Sequence, residues 1–228
     1  MTEQIVPESD LRLRRDGYFV LDLFGEAEIS ELRRIWHELS SARTPEWDPR
    51  GFFTSIQEPQ WRADVERALR SFSDEVASRF RNHGVFISAF IVKRPRGDAI
   101  TPHVDWSFVD ERVRPTLNCW VATSELTVDT GSIGVLPGSH RSVNFARSVA
   151  DPYLDWASAT YEAQIEDTKP IALHPGQGLV YDNRLLHFSS PNHTDLERIV
   201  VSFGIAHHDD QDGALASLLE GLERAGAG

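Results

Sequence analysis

The apolar pattern of the chain changes near residue 84, and this change limits the folds that are open to it. Before that point apolar residues recur at helical spacing. After it they form short runs rich in Val, Ile and aromatic residues, broken by Gly, Pro, Asn and Asp. The runs are GVFISAFIV, TLNCWVA, SIGVLPG, KPIAL, GLVYDN and RIVVSFGIA. Many short strands without helices between them predict a sandwich or barrel rather than a parallel α/β sheet.

The residues before this change predict a mostly helical cap. Apolar residues follow a helical stripe through EISELRRIWHEL, at 28–39, and again through WRADVERALRSFSDEVASRF, at 61–80. A short strand is predicted over GYFVLDLF, at 17–24. We therefore expect a mainly β fold with a helical cap (α+β). Its expected parts, within a single domain of 228 residues, are a cap at 1–83, a β core at 84–208 and a helical tail at 209–228.

The charge and the cysteine content narrow the classes of partner. A formal net charge of −12 and a sequence pI near 5.2 argue against nucleic acid and anionic membranes, because an acidic protein repels phosphate. Cys119 is the only cysteine, so no intrachain disulfide forms, and no apolar run has the length of a membrane span or a signal core. We expect a cytoplasmic protein, monomeric or homodimeric, that acts on a small molecule.

The stretch AITPHVDWSF, at 99–108, places two metal-capable side chains two positions apart. If this stretch is a strand, His103 and Asp105 point to the same face and can share an ion. His187, after GLVYDNRLL, is the best third ligand, because it is expected at a strand end that faces the barrel interior. Two histidines and one carboxylate are the ligand set of non-haem Fe(II) sites. A simple hydrogen-bonded pair of His103 and Asp105 is the alternative.

Four elements in a fixed order carry a resemblance to a known family: HVD at 103–105, GSIGVLPGSH at 131–140, HPGQGLVYDNRLLH at 174–187 and NHTDLER at 192–198. With them the chain resembles the phytanoyl-CoA dioxygenase family, within the Fe(II)- and 2-oxoglutarate-dependent oxygenases. The resemblance implies a double-stranded β-helix, a jelly-roll or cupin-like barrel with the N-terminal helices packed on it. It also implies Fe(II) held by His103, Asp105 and His187, with 2-oxoglutarate and O₂ as cosubstrates.

The resemblance also gives a role to Arg198, which follows His187 at about the interval of the family's arginine. It implies that Arg198 binds the distal carboxylate of 2-oxoglutarate, which a guanidinium fork orients better than an ammonium does. From the residues alone, pairing of Arg198 with Glu197 or Asp195 is the alternative. Further candidates for the cosubstrate site are Asn118, Trp120 and Ser202. For the first two, ordinary barrel-lining or packing roles stay open.

Two long segments with aromatic residues, 43–61 and 147–170, flank the barrel elements. Segments of this kind are expected to form a lid or binding loops. The candidate substrate contacts are Trp106, Phe52, Tyr153, Trp156 and Arg141. In the alternative, the aromatic residues of the two segments, namely Trp47, Phe52, Tyr153 and Trp156, only seal the cap.

The resemblance implies oxidation of an unactivated C–H bond of a small molecule, most simply by hydroxylation. The coupled reaction is decarboxylation of 2-oxoglutarate to succinate and CO₂, and specialised metabolism is the expected setting. Desaturation, cyclisation and epoxidation are alternatives within the family. A non-oxidative cupin-like metal-binding protein, or a metal-dependent isomerase or dioxygenase that ignores 2-oxoglutarate, would need no arginine in the cavity. Substrate identity does not follow, since one fold hosts diverse chemistry.

Overall fold

A computed structural model describes residues 7–43, 45, 47, 50–143, 147 and 168–226. The strands in these ranges are β1 (Tyr18–Asp22), β2 (Phe52–Phe53), β3 (His83–Lys93), β4 (Ile100–His103), β5 (Leu117–Ala122), β6 (Ile133–Val135), β7 (Lys169–Pro170), β8 (Gln177–Asp182), β9 (His187–Ser189) and β10 (Arg198–His207). The α-helices are α1 (Pro7–Asp16), α2 (Glu26–Ala42), α3 (Pro59–Ala68), α4 (Arg70–Ser78) and α5 (Gln211–Gly226).

The strands form two antiparallel sheets with a cavity between them. One sheet has six strands in the order β1, β8, β5, β10, β3, β2, and the other has four in the order β4, β9, β6, β7. Residues from both sheets line the cavity. Helices α2, α3 and α4 pack on the opposite face of the six-stranded sheet. This arrangement confirms the predicted mainly β fold with a helical cap.

Strand β10 is buried on both faces, because helices cover one face and the second sheet covers the other. The side chains that pack toward the helices are Ile199, Val201, Phe203 and Ile205. Since successive side chains of a strand alternate, Arg198 and Ser202 point to the cavity side and line it. The same alternation on β5 places Asn118 and Trp120 on the cavity side. The pleat of two strands therefore gathers four predicted cosubstrate residues on one wall.

The helical stripe predicted over 61–80 forms two helices rather than one. The break lies at Leu69, which has φ −94° and ψ 2° and is fully buried. Both short helices direct their apolar residues into the core that they share with the sheet, including Val65 of α3 and Val76 of α4. None of the helices in the described ranges is both long and apolar enough to cross a membrane.

The N-terminal part of the chain supplies strands as well as helices. Strand β1 pairs with β8, and β2 pairs with β3, so both edges of the six-stranded sheet come from residues before 84. The strand predicted at 17–24 is present as β1. Its pairing with β8 joins the N-terminal residues to the sheet that carries Arg198.

Candidate active site

Three potential metal ligands meet where β4 ends and β9 begins. His103 and His187 are directly paired across these two strands. Asp105 follows β4, and its Oδ1 lies 3.9 Å from Nε2 of His103 and 3.6 Å from Nε2 of His187. One ligand atom from each residue lies within 4.8 Å of the others, so a single ion can contact all three. Two imidazoles and one carboxylate in this arrangement suit non-haem Fe(II).

The prediction that His103 and Asp105 share a strand is wrong, because β4 ends at His103. The next residue, Val104, is buried, and the backbone N–H of Asp105 donates to the carbonyl of Asn183 at 2.9 Å. Asp105 therefore reaches the two histidines from a segment outside the sheet, and its position depends on contacts other than a strand ladder.

Backbone carbonyls fix the orientation of both imidazoles. Nδ1 of His103 lies 2.8 Å from the carbonyl oxygen of Thr101, and Nδ1 of His187 lies 2.9 Å from that of Leu185. A carbonyl oxygen only accepts, so each Nδ1 donates the hydrogen bond, and in the neutral form of either ring Nε2 carries the lone pair that a metal binds. Burial, together with the neighbouring His187, lowers the pKa of His103 to about 4. His103 is therefore a neutral, ligand-competent imidazole at pH 7.

The PGSH segment supports the strand that carries His187. Gly138 has φ 81°, a left-handed conformation that favours glycine, and it begins a 3₁₀ turn. The hydroxyl of Ser139 in this turn accepts a hydrogen bond at 2.9 Å from the N–H of Leu186, the residue before His187. Nε2 of His140 lies 3.2 Å from the carbonyl oxygen of Arg14 in α1. The segment thus joins α1 to the start of β9.

Arg198 is a buried cation on the same cavity. It is 2% exposed, and among the described residues its Nε, Nη1 and Nη2 have no hydrogen-bond partner. Its guanidinium carbon lies 5.0 Å from the ring centroid of Trp120, and Ser202, further along the same strand, donates to Oδ1 of Asn118 at 2.8 Å. Burial lowers the pKa of Arg198 to about 9, so it is still charged at pH 7. A buried guanidinium with three unused donors fits a carboxylate ligand.

The acidic neighbours of Arg198 in the sequence are engaged elsewhere. Asp195 accepts from Arg96 at 2.8 Å, and Glu197 accepts from the indole N–H of Trp36 at 3.1 Å. The alternative in which Arg198 pairs with one of these carboxylates is therefore not seen in the structure.

Lys93 is a second buried cation, which the sequence analysis missed. It is directly paired with Arg198 between β3 and β10 and is 0% exposed. Its Nζ donates to the carbonyls of Ser189, at 3.3 Å, and Ser190, at 2.5 Å, at the end of β9. Burial and the charge of Arg198 lower its pKa to about 7. The sequence signal that could have identified Lys93 is its position directly after the apolar run GVFISAFIV.

Lys93 predicts a pH dependence of stability. Its pKa is about 7 in the folded protein and 10.5 ordinarily, so between these values the unfolded chain binds more protons. The free energy of unfolding of the metal-free protein is therefore expected to rise from pH 7 to pH 9, and to lose this contribution as the pH falls to 7. Urea unfolding of wild type, Lys93→Met and the exposed-lysine control Lys169→Met measures the slope. An equal slope in all three proteins would contradict the prediction.

The cavity between the sheets has a volume of about 800 Å³ and contains both the triad and Arg198. This volume is in the range of small-molecule sites. Much of its wall is apolar and includes Phe53, Phe86, Trp106, Phe108, Leu218 and Leu222. Most residues from 50 to 59 contribute to the wall, and so does α5. A cosubstrate and a small substrate with an apolar part therefore have room beside the triad.

The residues predicted to contact the substrate differ in their position relative to the cavity. Trp106 lines the cavity. Phe52 also borders it but is 1% exposed, with its ring among the indoles of Trp36, Trp47 and Trp61 at centroid distances of 5.4 to 5.9 Å. Packing in the cap core is thus the main role that the structure gives to Phe52.

Arg141 does not join the cavity wall. Its guanidinium donates to the backbone carbonyl of Arg15 in α1, and it is not among the residues that line the cavity. Tyr153 and Trp156 lie outside the described residues, as does most of the segment 147–170.

Comparison with known protein families identifies the family to which this chain belongs. The sequence profile of the phytanoyl-CoA dioxygenase (PhyH) family matches residues 13–200. The chain belongs to the phytanoyl-CoA dioxygenase family. Within the family, phytanoyl-CoA dioxygenase 1 from Oryza sativa subsp. japonica is 27% identical over 163 residues, which cover 68% of this chain and 56% of the relative. The chain spans about half the length of the first curated relatives it matches.

Solved structures share the fold of this phytanoyl-CoA dioxygenase family member. The non-haem α-ketoglutarate-dependent carbocyclase SnoK from nogalamycin biosynthesis superposes with a TM-score of 0.67 at 18% identity, covering 88% of this chain and 84% of SnoK. EctD from S. alaskensis, solved with 2-oxoglutarate and 5-hydroxyectoine, gives 0.64 at 21% identity, covering 91% and 78%. These likenesses confirm the double-stranded β-helix implied by the resemblance.

The residues of the cavity suit both Fe(II) and 2-oxoglutarate, the metal and the cosubstrate that the resemblance implied. Within the described ranges, Oδ2 of Asp105 is a buried carboxylate oxygen without a hydrogen-bond partner, and Oδ1 of the same carboxylate lies beside the Nε2 atoms of two imidazoles. This donor set suits Fe(II). The unpartnered guanidinium of Arg198 on the same cavity suits the carboxylate of a 2-oxo acid.

Proposed function

We propose that this member of the phytanoyl-CoA dioxygenase family is an Fe(II)- and 2-oxoglutarate-dependent oxygenase. It oxidises an unactivated C–H bond of a small molecule, most simply by hydroxylation, and converts 2-oxoglutarate to succinate and CO₂. The observation that carries the proposal is a single cavity with the ligand set His103, Asp105 and His187 and the unpartnered guanidinium of Arg198. Burial of an unpaired guanidinium costs free energy, and a metal-binding protein without a dicarboxylate cosubstrate would have no need of it.

Each of these residues has a defined part in the proposed reaction. When bound, the iron with 2-oxoglutarate and O₂ supplies the oxidising chemistry, and the protein supplies placement and a dry cavity. The imidazoles of His103 and His187 and the carboxylate of Asp105 would hold the metal. Arg198 would bind the remote carboxylate of the cosubstrate, with the ring of Trp120 shielding the guanidinium from water. The apolar wall, with Trp106 and Phe108, would then hold the substrate C–H bond near the metal.

The type of product is set by the substrate as well as by the site. SnoK is a carbocyclase and SnoN from the same nogalamycin biosynthesis is an epimerase, so the shared fold serves more than one outcome. Hydroxylation is proposed here as the simplest outcome, and desaturation, cyclisation and epoxidation are the alternatives. A role in specialised metabolism, a cytoplasmic location and a monomeric or homodimeric state remain predictions from the sequence.

Anaerobic spectroscopy tests the proposal without knowledge of the substrate. Addition of Fe(II) and 2-oxoglutarate to the metal-free protein is expected to give a weak visible charge-transfer band, because a 2-oxo acid that chelates Fe(II) produces one. Fe(II) alone, Zn(II) with 2-oxoglutarate, and Fe(II) with succinate serve as controls and should give none. Exposure to air should then yield succinate.

The outcomes separate the possible functions. Iron binding without the band would favour a 2-oxoglutarate-independent enzyme or a non-oxidative metal-binding protein. If the band forms, a screen of small molecules by mass spectrometry identifies the substrate and divides the reactions into two classes. Gain of one oxygen atom indicates hydroxylation or epoxidation, and loss of two hydrogen atoms indicates desaturation or cyclisation.

A further inference from the structure

Asp105 differs from the two histidines in how its backbone is held. His103 and His187 belong to paired strands, whereas Asp105 lies in the irregular segment between β4 and β5. Two hydrogen bonds fix its peptide groups: its N–H donates to Asn183, and its carbonyl accepts from Nε of Arg147 at 2.6 Å. Arg147 comes from a distant part of the chain, the connection between β6 and β7.

The remaining guanidinium nitrogens of Arg147 bind the carboxylate of Glu111. Nη1 lies 2.7 Å from Oε2 and Nη2 lies 2.8 Å from Oε1, a bidentate pair. The side chains are only 2% and 7% exposed. In such surroundings an ion pair with two parallel hydrogen bonds has one preferred geometry, so the Nε that contacts Asp105 is held in a fixed direction.

Ser107 closes the network on the other side. Its hydroxyl donates to Oε2 of Glu111 at 3.1 Å and accepts from the backbone N–H of Arg147 at 3.1 Å. Its own N–H donates to the carbonyl of Arg147 at 3.0 Å. The segment from Asp105 to Glu111 therefore wraps around Arg147, whose guanidinium contacts Asp105 and Glu111 and whose backbone contacts Ser107.

We propose that Arg147 and Glu111 are positioning residues for the metal ligand Asp105. The pair holds the backbone of the ligand segment so that the Asp105 carboxylate faces the two imidazoles. It also ties the connection between β6 and β7 to the metal site. The inference rests on the proposed function, because it requires that the triad binds a metal. Groups that orient a metal ligand typically contribute about 10- to 100-fold to metal affinity.

Two variants separate positioning from folding. Arg147→Lys keeps the charge beside Glu111 but loses the planar fork and its Nε donor. The double variant Arg147→Met with Glu111→Met replaces the buried pair by apolar side chains of similar size, an exchange that folded proteins often tolerate. Arg79→Met is the matched control, since Arg79 makes a 2.7 Å ion pair with Glu75 on α4 and lies outside the cavity wall.

The probe is Co(II), titrated anaerobically into the metal-free proteins and followed by its visible absorption, with thermal unfolding of each metal-free protein as the folding control. Arg147→Lys and the double variant are expected to bind Co(II) roughly 10- to 100-fold more weakly than wild type. Arg79→Met should match wild type. Wild-type affinity in both Arg147 variants would overturn the inference alone. Failure of the wild-type protein to bind Co(II) would overturn the proposed function together with it.

Discussion

Replacement of His187 by alanine is expected to abolish turnover while leaving the metal-free protein folded. His187 supplies one of the three ligand side chains that meet in the described part of the chain, and its Nε2 faces the carboxylate of Asp105 at 3.6 Å. Loss of a group that merely orients a ligand costs about 10- to 100-fold, so loss of the ligand itself should cost more than 100-fold. His103→Ala should behave in the same way, because the two imidazoles occupy equivalent paired positions.

Iron content, the charge-transfer band and succinate formation measure this effect. The matched control is His174→Ala, since the His174 side chain is 74% exposed and lies outside the cavity wall. Circular dichroism and thermal unfolding of the metal-free variants show whether the fold is kept. Near-wild-type turnover with stoichiometric iron in either triad variant would show that the assignment of that ligand is wrong.

Replacement of Arg198 by methionine is expected to weaken the binding of 2-oxoglutarate and to raise the stability of the metal-free protein. Loss of a charge-assisted bidentate contact should weaken 2-oxoglutarate binding by about 10- to 100-fold, equivalent to roughly 1.5 to 3 kcal/mol. In the metal-free protein the same change removes a buried guanidinium whose three nitrogens have no hydrogen-bond partner in the ranges that the structure describes. Burial of an unpaired polar group costs about 1 to 3 kcal/mol, so the free energy of unfolding should rise by about 1 kcal/mol or more.

The dependence of succinate formation on 2-oxoglutarate concentration and urea unfolding test the two halves of this prediction. Arg198→Lys is the control, because it retains a charge without the fork and should lose less affinity than Arg198→Met. A structural arginine would show the reverse stability change, with a less stable variant. An unchanged affinity for 2-oxoglutarate would move the carboxylate site to another cation. Arg50 and Arg62, which also line the cavity, are the next candidates, rather than Arg141, which lies outside its wall.

Much of the fold was predictable because its signals are local. The helical stripe of 28–39 became α2, and the β-rich runs after residue 84 became strands of two antiparallel sheets, since periods of 3.6 and 2 follow from backbone geometry alone. The break at Leu69 was not predictable in this way. An apolar stripe of one phase continues across it, and only packing against the sheet decides where a helix ends.

The residue types of the candidate site and the family of the chain were recognisable from sequence motifs alone. The spacing of His103 and Asp105 and the order of the four motifs singled out the triad and Arg198, because chemistry requires those residue types and the motifs keep them in order. The tertiary structure decided the surroundings of these residues. It paired Lys93 with Arg198, and it brought Arg147 to the backbone of Asp105 and to the carboxylate of Glu111. Such contacts join residues far apart in the chain through strand register and buried hydrogen bonds, and no local pattern of residues encodes them.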